Sequence, residues 1–250
     1  MGISAAMLSF VLLALERSAG EGASAATAAI SQRARWQQKC LSRGVTDFLN
    51  PEKTRSHHNG LLYPKVEICK EILFVNRDEW GARPPKAVNS FNIPGGVSYV
   101  FFYHTGGEEC SCKQSCAKII GLWQRVHQDC QGWDDISYTF IIGGDGMVFE
   151  GRGWDHVGAH TVGFNDKSLS LAFVGNYSRK VPNEPMLQAA KNLIECGIQL
   201  NKISATYTLL GQADVNCRES PGEVFHAFMK NMSHFGGTRS DYECTPSPWD

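Results

Sequence analysis

The chain of 250 residues has no excess of charge of either sign: 24 Lys and Arg stand against 25 Asp and Glu. No basic tract stands out along it, which argues against nucleic acid as a partner. A membrane span takes ~20 apolar residues, and the largely apolar run at 3–15, ISAAMLSFVLLAL, is thirteen residues long. There is no internal repeat, so no solenoid is expected. Aromatic residues are not scarce, at 10%, which excludes wholesale disorder. No Lys or Arg precedes the apolar run. The run is still followed by small residues, SAGEGASAATAA, and reads as a secretory signal with a weak basic start.

Nine cysteines agree with a secreted chain: Cys40, Cys69, Cys110, Cys112, Cys116, Cys130, Cys196, Cys217 and Cys244. Such a number implies disulfides, and an odd count leaves at least one free, paired between chains or lost. The stretch CSCKQSC lacks the C-x₂-C spacing and the neighbouring histidine of a zinc site, so disulfides are the better reading. The triplets Asn176-Tyr-Ser and Asn231-Met-Ser are N-glycosylation acceptors in form.

Residues 1–25 are read as a signal peptide and 26–66 as a polar extension, in which His57-His58 is a solvated loop pair. From 67 the pattern becomes globular. VSYVFFY (97–103) is a strand candidate, ending on Tyr103, His104 and Thr105. Ile119, Leu122, Trp123 and Val126 recur at helical spacing within 114–130. Residues 136–151 read as two strands around Gly-Asp-Gly, a hairpin. A further strand is expected over 168–177, an amphipathic helix with Pro185 near its start over 184–202, a short strand over 207–211 and a last helix over 222–232. The tail 239–250 is read as flexible. These elements make an α/β fold, a central mixed β-sheet flanked by helices.

Over 67–238 the chain resembles the peptidoglycan recognition proteins, which share their fold with zinc-dependent N-acetylmuramoyl-L-alanine amidases. The resemblance is carried by DEWGARPP (78–85), YHTGGEECSCKQSC (103–116), WDDISYTFIIGGDGMVFEGRGW (133–154), VGAHTVGFN (157–165) and SLAFVGNY (170–177). AAKNLIECG (189–197), LLGQADV (209–215) and SPG (220–222) extend it in collinear order. It implies an amidase-type peptidoglycan recognition domain over 67–238 and disulfides Cys110–Cys116 and Cys69–Cys196. Cys40, Cys112, Cys130, Cys217 and Cys244 are left without an assigned partner.

In the amidases of this family two histidines and one cysteine hold Zn²⁺ and leave a fourth position for water. The matching positions here are Tyr103, Gln212 and Ser220. Neutral oxygens are a poor donor set for Zn²⁺, so no cofactor or metal is expected and the chain is read as a non-enzyme. Tyr138 matches a tyrosine that assists catalysis in the amidases; without metal it becomes a wall of the cleft. An improvised site from Cys217 and His104 would need a different backbone path.

The family's groove binds muramyl peptide, and the resemblance carries His104, Thr105, His127, Tyr138, His160 and Asn165 over as ligand contacts. Gly132-Trp133 matches a pair common in members that prefer diaminopimelic acid (Dap) to lysine at the third stem residue. Arg152 matches an arginine that meets the extra Dap carboxylate in some of them; otherwise it would be a surface hairpin arginine. The expected function is a secreted innate-immune receptor for bacterial peptidoglycan, with a signalling or effector protein as a possible second partner. Two alternatives stand beside it: an active amidase with a rearranged metal site, and a partner-binding module without affinity for the wall.

Overall fold

Residues Val97–His104 form the strand β2 at the heart of the sheet, because Val100, Phe101, Phe102 and Tyr103 are buried on both of its faces. A strand apolar on both sides belongs inside a parallel arrangement covered twice. In the computed structural model, which describes residues 67–216 and 218–237, that expectation is met. β1 (Phe74–Val75), β2, β3 (Phe140–Ile142), β4 (Val148–Glu150), β5 (Ser168–Phe173) and β6 (Ile203–Gly211) form one mixed sheet in the order β1-β4-β3-β5-β2-β6. β3 and β4 are the antiparallel hairpin, and every other pairing is parallel.

Alternation along β2 sends Val100 and Phe102 to one layer and Phe101 and Tyr103 to the other. The first layer is closed by α2 (Glu184–Gln199), through Met186, Ala190 and Leu193, and by α3 (Glu223–Met229), through Phe225 and Met229. The second is closed by α1 (Lys113–Arg125) through Cys116 and Ile120. The Asn183 side chain caps α2, accepting the Met186 amide at 3.1 Å. α1 runs into one π-helical turn, Val126–Cys130, of the kind often found at functional sites.

The two expected bridges are both formed. Cys69–Cys196 ties the start of the domain to α2, and Cys110–Cys116 closes the loop ahead of α1. A Cβ on Gly144 would overlap the Cys110 carbonyl, so the hairpin turn and this loop dock only through glycine. Cys112 is free and exposed, whereas Cys130 is disulfide-bonded.

Several expectations are corrected. The helix read over 114–130 ends as α-helix at Arg125. The strand of 207–211 begins four residues earlier, and β1 was not anticipated. The strand of 168–177 stops at Phe173, because Gly175 turns away at φ 138°. The signal peptide, the extension, the tail and Cys40, Cys217 and Cys244 lie outside the described residues. Among those described, no helix is long and apolar enough to cross a membrane.

Candidate functional site: a row of rings at the strand ends

The C-terminal ends of β2, β5 and β6 lie side by side, the place where open α/β sheets gather their sites. From there a row of rings extends toward the end of α1. Tyr103 lies 5.6 Å from His160 and 5.5 Å from Tyr138, ring centre to ring centre. Tyr138 is 5.7 Å from His127, which stacks between Trp133 (5.1 Å) and Trp123 (5.7 Å). Local structure explains the stack. Trp123 and His127 are one helical turn apart, and Gly132, at φ 77°, reverses the chain so that the Trp133 amide donates to the His127 carbonyl at 3.0 Å. Trp133 keeps 37% of its surface exposed.

Two histidines of the row's surroundings are fixed as donors. The Ser137 amide donates to His127 Nδ1 at 3.1 Å, and the Tyr177 amide donates to His104 Nδ1 at 3.2 Å. Burial holds His104 down to about 4 and His127 down to about 3, with the Arg152 charge adding to the effect on His127. Both rings are therefore neutral at pH 7, with the proton on Nε2. Two ring N–H donors suit carbonyl or carboxylate oxygens.

The remaining expected contacts are committed to the protein to different degrees. Thr105 is buried; its hydroxyl accepts the Gly175 amide at 2.9 Å. Asn165 accepts the amides of His160 and Thr161 through Oδ1, both at 2.8 Å. Tyr138 has its phenol pKa raised by burial, and its hydroxyl has no hydrogen-bond partner among the described residues. Arg152 is not the surface arginine of the alternative reading: it is 9% exposed. Its guanidinium donates to the carbonyls of Ile136 (2.7 Å), Val157 (3.0 Å) and Asp135 (3.5 Å). Of its five N–H donors, at most two remain for a ligand. Asn176, half-buried, accepts the Ser178 amide at 3.0 Å, whereas Asn231 is exposed.

The three positions that match zinc ligands are closed on the protein. The Tyr103 hydroxyl donates to the His160 carbonyl at 3.1 Å and bonds the Thr161 hydroxyl. Gln212 Nε2 donates to the same carbonyl at 3.1 Å. Ser220 Oγ accepts the His104 amide at 3.1 Å. Burial raises the Tyr103 phenol pKa well above its usual value, so it offers no phenolate. These side chains do not fit a Zn²⁺ ion. Among the described residues no three His, Cys, Asp or Glu side chains gather elsewhere to hold one. A cavity of about 480 Å³, lined by Leu187, Ile194, Tyr207, Phe228 and Met232 among others, lies between α2, α3 and β6 and includes none of the row.

Sequence reasoning missed Trp123 and Thr161. The first was legible as a ring four residues before His127 but was read only as core. The second gives no signal in one dimension, since its partner Tyr103 is 58 residues away.

The sequence pattern of the N-acetylmuramoyl-L-alanine amidase family matches residues 94–223. Peptidoglycan-recognition protein 1 of Holotrichia diomphalia is 36% identical over 169 residues, 68% of this chain and 84% of that one. The chain belongs to the peptidoglycan recognition protein family. The N-acetylmuramoyl-L-alanine amidase of Mus musculus is 37% identical over 161 residues, 64% of this chain and 30% of that protein. The structure of peptidoglycan recognition protein-LE in complex with tracheal cytotoxin, a monomeric diaminopimelic acid-type peptidoglycan, superposes with a TM-score of 0.64. It is 33% identical and covers 66% of this chain and 96% of that one.

Proposed function

We propose that this protein is a secreted, non-enzymatic receptor of innate immunity that binds the muramyl peptide of bacterial peptidoglycan, with a preference for the Dap type. One observation carries the reading. His104 and His127, which the resemblance places at recognition positions, are held as Nε2–H donors, while the three side chains it places at zinc positions are neutral and bonded within the protein. A stem peptide presents amide carbonyls and carboxylates, which are the partners those donors ask for. Binding of a Dap-type peptidoglycan by a family relative supports the ligand class. Gly132, Trp133 and Arg152 support the Dap preference. Arg152 would give its remaining donors to the second Dap carboxylate from a guanidinium already locked in place by Ile136 and Val157.

The mouse relative and the family pattern both carry the amidase name and supply the competing reading. The chemistry of Tyr103, Gln212 and Ser220 weighs against it. Secretion rests on the apolar start of the chain, and glycosylation, if the chain is exported, is expected at exposed Asn231 before half-buried Asn176.

Titration with soluble Dap-type and Lys-type muramyl peptides tests the reading. Tighter binding of the Dap form is expected. Equal affinities would remove the preference and leave recognition standing; no binding of either would remove recognition and favour a partner-binding module.

A further inference from the structure

Tyr103 comes from β2 and Gln212 from the turn after β6, yet both donate to one atom, the carbonyl oxygen of His160. That oxygen has two lone pairs, so the two donors saturate it. Around it the bonding continues. The Tyr103 hydroxyl also meets the Thr161 hydroxyl, and each lies 3.2 Å from His160 Nδ1. From the other side Asn165 Oδ1 takes the amides of His160 and Thr161. A single peptide unit, 160–161, is thus fastened to β2, to the turn after β6 and to the turn before β5.

The segment is also tied on either side of this unit: the Val157 amide donates to the Asn89 carbonyl at 2.8 Å, and the Phe164 ring packs edge-on against Tyr99 (5.2 Å) and Phe101 (5.3 Å). Residues 157–165 form no regular element apart from the start of the short turn at Asn165–Lys167. Their first half is pinned by the Ala159 amide to the Ser137 carbonyl, and by the Ser137 hydroxyl to the Ala159 carbonyl. Their tip, Val162, is 95% exposed and followed by Gly163 at φ 79°. Between the pinned half and the open tip stand His160 and Thr161.

We propose that Tyr103, Thr161 and Gln212 are positioning residues, a hydrogen-bonded brace that holds the 157–165 segment, and with it His160 and Asn165, in the geometry that receives ligand. Two of the three side chains that match zinc-ligand positions, Tyr103 and Gln212, cross-link β2 and the turn after β6 through the His160 carbonyl. Thr161 completes the brace. The effect on affinity rests on the muramyl-peptide reading; the effect on the segment itself does not.

The test uses the full chain and four variants: Tyr103→Phe, Thr161→Val, the two combined, and Thr161→Ser, which restores the hydroxyl. Amide hydrogen exchange at His160 and Thr161 is measured without ligand, and affinity is measured with a soluble Dap-type muramyl peptide. Exchange at these two amides should rise in Tyr103→Phe and Thr161→Val and stay at the original rate in Thr161→Ser. Affinity should fall about fivefold in each of the first two, on the order of one hydrogen bond, without compounding in the double variant. Thr161→Ser should bind like the original protein. Unchanged exchange in Tyr103→Phe and Thr161→Val overturns the brace. So does original affinity in Thr161→Val, or losses that multiply in the double variant. If the original protein binds no muramyl peptide, the functional reading fails while exchange still decides the brace.

Discussion

The two ends of the ring row are built from the same residue types and do opposite things. At the strand ends, Tyr103, Thr161 and Gln212 turn their polar atoms on one another and on the His160 carbonyl and Nδ1, and of this group His160 Nε2 is left without a partner. Toward the π turn, His127 and Tyr138 keep polar atoms unspent, and Trp133 keeps an open face. The lesson is that aromatic and imidazole chemistry alone does not mark a working site. What separates the ends is whether hydrogen-bonding capacity is satisfied inside the protein or left over for something else.

The sharpest way to break the contrast is to return metal chemistry to the closed end. Tyr103→His, Gln212→His and Ser220→Cys together should take up one equivalent of Zn²⁺ by metal analysis, with none retained by the original protein. Absence of uptake would mean that these three positions do not converge as the family resemblance implies. At the open end, Trp133→Ala should cost about thirtyfold or more in muramyl-peptide affinity, as truncation of a central tryptophan does. Its thermal midpoint should hardly move, since the ring is partly exposed. A large loss of stability would instead make it a structural ring.

Arg152→Ala should affect both quantities. Three carbonyls lose their donor, and a buried hydrogen bond to a charged group is worth ~1.5–3 kcal/mol. Denaturant unfolding should therefore show a loss of at least that order, and the ratio of Dap to Lys affinities should fall toward one. A retained ratio would take the specificity role away from Arg152.

A pH dependence is shared by both ends. His104, His127 and His160 are held by burial at about 4, about 3 and about 3, against an ordinary value of 6.5. In acid the unfolded chain binds protons that the folded one refuses, so stability present above pH 6.5 is lost as pH falls toward 4. Unfolding midpoints measured from pH 7 to pH 4 should decline, and a flat profile would contradict the neutral-imidazole assignment.

Much of this fold was legible in the sequence. VSYVFFY was legible as a strand from its apolar run, and Gly-Asp-Gly between apolar runs as a hairpin. β1 was invisible because two residues have no period, and the start of β6 because Ser204, Ala205 and Thr206 are half-buried or exposed and carry little apolar pattern. The bridges Cys69–Cys196 and Cys110–Cys116 came from the family resemblance; spacing alone leaves the pairing of nine cysteines open. Through the family resemblance, Tyr103, Gln212 and Ser220 were readable as standing where zinc ligands are expected. Their bonding was not, because a brace between Tyr103 and His160, 57 positions apart, exists only once β2 and the 157–165 segment are folded together.

The central claim is recognition without cleavage. Its most direct test is to incubate the purified protein with a Dap-type muramyl peptide, with and without added Zn²⁺, and to follow the ligand by mass spectrometry alongside a binding titration. Saturable binding and an intact lactyl-amide bond are expected in both conditions. Zn²⁺-dependent release of the free stem peptide would contradict it.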